Sequence, residues 1–161
     1  MNAGVQQVAD GTYLVHGSNT NWVILTEGSS ATLVDTGYPG DRDQVLASLA
    51  EVGSSPEAVT AVLVTHAHND HLGSAEYLRA AYGTPVYLHE AEVPHARREF
   101  LHQVSVSTVL KNGWRPGVLP WAVHAIRVGG TAHVPVASPQ PFPAKGALDL
   151  PGRPVPVHTP G

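Results

Sequence analysis

The 161-residue sequence predicts one mixed domain of the α/β (α+β) class, and three features carry that expectation. Short β-type runs separated by turn residues fill the first 34 positions, and a strand, a helix and a second strand follow between residues 60 and 88. A histidine-rich loop closes the first strand of that later pair. The apolar fraction of 42% is ordinary for a globular chain, and the length suffices to bury a core.

Val5 to Val8 and Thr12 to Val15 flank Asp10-Gly11, a strong two-residue hairpin signal. Trp22 to Thr26 and Ala31 to Val34 flank Glu27-Gly28-Ser29-Ser30, so the opening reads as a meander of four antiparallel strands. Asp35-Thr36-Gly37 closes the fourth strand with a carboxylate at its end. Asp41 is placed to cap a helix whose apolar positions Val45, Leu46, Leu49 and Val52 recur at helical spacing up to Gly53. Ser54 to Glu57 reads as a turn or a single helical turn, and Thr60 to Val64 as a strand. Ala75, Leu78, Ala81 and Tyr82 form the inner face of a second helix, stopped by Gly83. Pro85 to Leu88 is then a strand reached through a helix, which makes this half of the sheet mixed.

A helical stretch is expected from His89 to about Leu101, with His95 and His102 on a solvated face beside Arg97, Arg98 and Glu99. Val104 to Leu110 fits strand and helix spacing equally. Ten of the 14 prolines fall between Pro116 and Pro160, so loops and short edge strands are expected there rather than long helices. Trp114 and Trp121 are candidates either for a pocket wall or for core cover, and residues 153–157 for a last strand.

There is no cysteine, so disulfides and thiolate ligands are excluded. Net charge is −4, divided as 12 acids against 4 bases in residues 1–99 and 1 acid against 5 bases in residues 100–161. The later segment could face an anionic group on a substrate, but five dispersed bases make no nucleic-acid patch, and a nucleic-acid partner is not expected. The first 11 residues lack a basic segment followed by an apolar one, and no run approaches the roughly 18 apolar residues of a membrane span. A cytoplasmic protein with no membrane partner is expected.

The chemistry concentrates in Thr65-His66-Ala67-His68-Asn69-Asp70-His71, directly behind the apolar run 61–64. Three histidines and a carboxylate within six residues offer the nitrogen and oxygen donors that borderline-soft divalent metals take. His66 and His68 are two apart, so in extended backbone both project to one side and can reach one ion at about 2.0–2.1 Å. Asp70 and His71 are adjacent and should diverge, which suits a second ion roughly 3.5–4 Å away. His89, which follows a strand as His66 does, lacks companion ligands at ligand spacing.

At these residues the chain resembles the metallo-β-lactamase-fold hydrolases, whose signature is H-x-H-x-D-H after a strand. Leu33-Val34-Asp35-Thr36-Gly37 and Val157-His158-Thr159-Pro160-Gly161 fit the same family. The resemblance implies an αββα sandwich and a hydrolase with two zinc ions, iron or manganese being the alternative metals. It places His66 and His68 on the first ion, Asp70 and His71 on the second with Asp70 also orienting the attacking water, and Asp35 beneath the site as an outer-shell group. The implied substrate is a small molecule carrying an ester, thioester, lactone or related bond. In the family a further ligand histidine follows the final T-P-G, so residues 1–161 are expected to form a single domain cut before its third metal-ligand histidine. The fold is then incomplete at the C-terminus, with two ligands per ion, so the isolated chain is expected to be impaired in metal binding and activity, and an apolar sheet face is open to self-association. The alternatives are a short protein that binds metal or a partner without catalysis, and an iron-containing oxidoreductase of the same fold.

Overall fold

In the computed structural model, which describes residues 4–143 and 145–157, Gly4–Ala9 (β1) and Thr12–His16 (β2) pair antiparallel across the Asp10-Gly11 turn. Asn21–Glu27 (β3) and Ser30–Val34 (β4) complete the meander. Val59–Leu63 (β5), Val86–Leu88 (β6) and Gln140–Pro141 (β7) then add in parallel, so seven strands lie in chain order and the sheet changes character at β4. The connections explain the change. Short turns reverse the chain, whereas Arg42–Glu51 (α1) and, after the single turn Asn69–Leu72 (α2), Ala75–Tyr82 (α3) carry it back to the starting edge.

Strand alternation sends Trp22, Ile24, Leu33, Val62 and Val86 to one face, where Val45 and Leu49 of α1 and Leu78 of α3 cover them. Trp22 satisfies its indole there by donating Nε1–H to Ser48 Oγ at 3.1 Å. On the other face Ala61 and Leu63 pack against Leu148, joined by Val34, Tyr87, Phe142 and Leu150. Part of the face expected to lie open is therefore covered by Phe142, Leu148 and Leu150, although Val23, Leu25 and Val34 stay half-buried.

The structure departs from the sequence reading at four points. After β6 there is a 3-10 turn at Glu90–Glu92 and a short helix Val93–Ala96 (α4), and the chain stops being helical there instead of near Leu101; Arg98 lies beyond at a left-handed φ of 62°. The ambiguous segment is the helix Val106–Asn112 (α5), and the proline-rich part holds a ten-residue helix, Val118–Arg127 (α6). Pro120 sits in the first turn of α6, where its missing N–H forfeits no intrahelical bond. Residues 153–157 form no strand, since Pro154 and Pro156 offer no ladder donors; Gln140–Pro141 takes that edge instead. Asp41 does precede α1, but its carboxylate accepts from the Tyr38 N–H at 2.9 Å rather than capping α1. His158 and the final T-P-G lie outside the described residues. Among the described residues no helix is long and apolar enough to cross a membrane.

Gly73 shows how tightly the centre of the molecule is built. A Cβ there would lie 2.2 Å from the Tyr38 carbonyl carbon and 2.5 Å from Gly37 O, both backbone atoms that cannot turn aside. Gly53 instead has a φ of 78° with nothing within 4 Å. Gly73→Ala should therefore lower the urea midpoint by the equivalent of about 3 kcal/mol, the upper end of overpacking penalties, and Gly53→Ala by about 1 kcal/mol from backbone strain alone.

Candidate metal centre

Three adjacent parallel strands end at one edge of the sheet, where open α/β sheets characteristically hold their ligands. β4 runs into Asp35, β5 leads to Thr65 and His66, and β6 runs into His89. Asp35 is buried and takes a left-handed φ of 63°, a conformation aspartate tolerates better than most residues. Its N–H donates to Leu63 O at 2.8 Å, which turns the carboxylate toward the next loop. There Oδ1 accepts from the Thr65 N–H at 2.8 Å, and Oδ2 lies 2.8 Å from both Thr65 Oγ1 and His71 Nδ1.

The histidine loop gathers around His66. Its ring centroid lies 4.7 Å from that of His68 and 4.0 Å from that of His71. His71 Nε2 is 3.4 Å from Asp70 Oδ2, so Asp70 and His71 converge instead of diverging; a flexible carboxylate at the start of α2 reaches across to the neighbouring ring. The main chain is pinned as well. Thr20 Oγ1 donates to Asp70 O at 2.8 Å, and Thr36 donates to His71 O from N–H at 2.7 Å and from Oγ1 at 3.1 Å.

These contacts set the charges. Burial, helped by the neighbouring imidazoles, holds the His66 pKa below its ordinary value, which leaves a neutral ring with a lone pair to give. Burial pulls His71 the same way, but hydrogen bonds to Asp35 and Asp70 outweigh it and lift its pKa to about 9. Burial alone would raise Asp70; the bond and positive charge of His71 bring it below the usual carboxylate value.

The donor types suit a divalent metal: imidazoles and a carboxylate, with His71 passing its second ring nitrogen to a carboxylate as metal-bound histidines characteristically do. Among the described residues no group of three His, Cys, Asp or Glu side chains is arranged to hold an ion by itself.

His89 Nδ1 accepts the Ala91 N–H at 3.2 Å. Trp114 is exposed, whereas Trp121 borders a cavity of 330 Å³ with Val118 of α6 and Val104, Thr108, Val109, Asn112 and Arg115. His95, expected on a solvated face, is only 3% exposed, its ring 5.4 Å from that of His68. Asn69 was passed over among the histidines. It is buried, and its Nδ2 donates to the carbonyls of Gly129, Gly130 and Ala132, which ties the loop to the end of α6. An Asn at an unassigned motif position is common turn chemistry in sequence, and only the fold reveals its partners.

A family model described as the metallo-beta-lactamase superfamily matches residues 16–161. The chain is 35% identical over 77 residues to the exodeoxyribonuclease WalJ of Streptococcus pneumoniae, a match covering 48% of this chain and 28% of that protein. It is 37% identical over 67 residues to a hydroxyacylglutathione hydrolase of Alkalilimnicola ehrlichii, covering 42% of this chain and 25% of that one. The matched part thus spans little more than a quarter of these relatives' lengths. Among solved structures, a mutant metallo-beta-lactamase of Cronobacter sakazakii with the HARLDQ motif superposes with a TM-score of 0.63 at 18% identity, over 92% of this chain and 50% of that one, which is a likeness of fold.

The Asp35–His71 pair makes the metal-free site sensitive to pH. The folded-state pKa of His71, about 9, lies above its ordinary 6.5, so the pairing stabilises the fold fully below about pH 6.5 and that contribution is lost as pH rises through about 9. In a metal-free sample, His71 ring resonances followed by NMR should titrate near pH 9, and Asp35→Asn should move the midpoint down toward 6.5. A wild-type midpoint near 6.5 would contradict the pairing.

Proposed function

The chain belongs to the metallo-β-lactamase superfamily, and we propose that His66, His68, Asp70 and His71 bind divalent metal for hydrolysis of an ester, thioester, lactone or related bond in a small-molecule substrate. The observation that carries this reading is the meeting of the His66, His68 and His71 rings, at centroid separations of 4.7 and 4.0 Å, at the end of β5 beside Asp70. The reading includes zinc as the metal, two ions in the complete site, and a cytoplasmic location.

His66 and His68 hold one ion, and Asp70 and His71 the other. Zinc held there would supply the chemistry of a Lewis acid and of a bound water with its pKa brought down toward about 7. Asp70, whose pKa lies below the usual carboxylate value in the metal-free chain, would accept the hydrogen bond of that water and orient it. Asp35 fixes the tilt of the His71 ring through Nδ1 and leaves Nε2 to face the site. The hydroxyacylglutathione hydrolase among the relatives supports a thioester as the first bond to test.

Phosphodiester hydrolysis is a second reading. The name of the exodeoxyribonuclease relative supports it. Parallel assays on an S-acyl thioester and on bis(p-nitrophenyl) phosphate separate the two readings.

Zinc titration by calorimetry tests the site itself. The chain should bind zinc, and His66→Ala with His68→Ala should weaken binding at least 100-fold, whereas His89→Ala should leave it within about twofold. Equal zinc uptake by the His66/His68 double variant would sink the reading.

A further inference from the structure

The least expected feature beside the site is what holds Ala67, the residue between His66 and His68. Ala67 is fully buried, and both of its backbone polar groups are taken by charged side chains from the segment after β6. Its N–H donates to Glu92 Oε2 at 2.8 Å, and its carbonyl accepts from Arg98 NH1 at 2.7 Å. The N–H belongs to the peptide plane joining residues 66 and 67, and the carbonyl to the plane joining 67 and 68. Fixing both planes fixes the backbone rotation that aims the imidazole of His66 on one side and that of His68 on the other. Bonds to ionised groups are short and directional, which suits this task.

Each jaw is braced in turn. Glu92 Oε2 also meets His95 Nδ1 at 3.2 Å, and His95 is buried with its ring stacked on Phe100, the centroids 5.2 Å apart. Arg98 donates to His95 O at 3.0 Å and, through NH2, to Asn69 Oδ1. Arg98 is one of three non-glycine residues with a left-handed φ among the described residues, and that turn brings its side chain back onto the loop. Its NH1 and NH2 bond carbonyl oxygens, and among the described residues its Nε is buried without a hydrogen-bond partner. A cation kept in a left-handed turn to bond carbonyl oxygens is otherwise hard to account for as surface charge.

We propose that Glu92 and Arg98 are positioning residues that clamp the Ala67 peptide planes and thereby set the mutual orientation of the His66 and His68 imidazoles, with His95 as the brace of Glu92. The proposal rests on the reading of His66 and His68 as ligands of one ion.

Arg98→Met, which keeps the aliphatic stem, and Glu92→Ala remove one jaw each; Arg98→Lys and Glu92→Gln restore a donor or an acceptor. Two readouts are taken on the metal-free chain: amide hydrogen exchange of Ala67 against that of core residue Val62, and the ring NMR shifts of His66 and His68. A third is zinc affinity. In Arg98→Met and Glu92→Ala, Ala67 exchange should rise at least tenfold relative to Val62, the two ring shifts should move, and zinc affinity should fall 10- to 100-fold. In Arg98→Lys and Glu92→Gln all three should stay within about threefold of wild type or close to its shifts. If Arg98→Met does not fold, Glu92→Ala with its Gln rescue decides the matter alone. Exchange at Ala67 that rises only in step with Val62, with unmoved ring shifts, would overturn the clamp and leave a general stabilising role. If the wild-type chain takes up no zinc, the proposed function fails, while exchange and ring shifts still decide the clamp.

Discussion

The carboxylate of Asp35 is the interaction on which the rest of the site depends. It ends β4, accepts both the main-chain N–H and the hydroxyl of Thr65 on the loop after the parallel neighbour β5, and meets the imidazole of His71 in the helical turn that follows. Its left-handed backbone carries a strain of roughly 1–2 kcal/mol, offset by hydrogen bonds to a charged acceptor at about 1.5–3 kcal/mol each. The residues after it continue the attachment. Thr36 binds His71 O, and Gly37 O accepts from the N–H of Gly73, which can come so close only because it has no side chain. One short loop thus reads both the ring of His71 and the backbone that carries it.

What could be read from sequence, and what could not, divides by the range of the forces involved. The meander and the strand–helix–strand unit are set by local turn chemistry and by the periodicity of Val, Ile and Leu, and both stand in the structure as expected. The clustering of His66, His68, Asp70 and His71 was legible for the same reason, since four of six consecutive residues cannot be far apart. Helix α6 was not, because a count of prolines ignores where in a helix each falls, and Pro120 falls in a permitted turn. His95 was misplaced because Arg97, Arg98 and Glu99 made its neighbourhood look solvated, while the chain leaves the helix at Ala96 and folds Arg98 back toward the histidines. The partners of Asn69 lie about 60 residues away along the chain and leave no local trace.

Charge balance ties these parts together. His66, His68, His71 and His95 are surrounded by Asp35, Asp70 and Glu92, so the imidazoles sit in a negative field that favours a cation among them. In the metal-free chain that field acts on His71, whose Nδ1 faces Asp35 and whose Nε2 faces Asp70, and favours its protonated form. His66 stays neutral in the same surroundings because its burial and the two neighbouring rings outweigh the more distant carboxylates. The site therefore holds one ring ready to donate a lone pair and one whose outer nitrogen is protonated. If His71 held a divalent ion through Nε2, that nitrogen would give up its proton, while the Nδ1 bond to Asp35 could remain. The same carboxylate that raises the pKa of the free histidine would then raise its strength as a ligand, because an imidazole hydrogen-bonded to an anion is the more electron-rich donor.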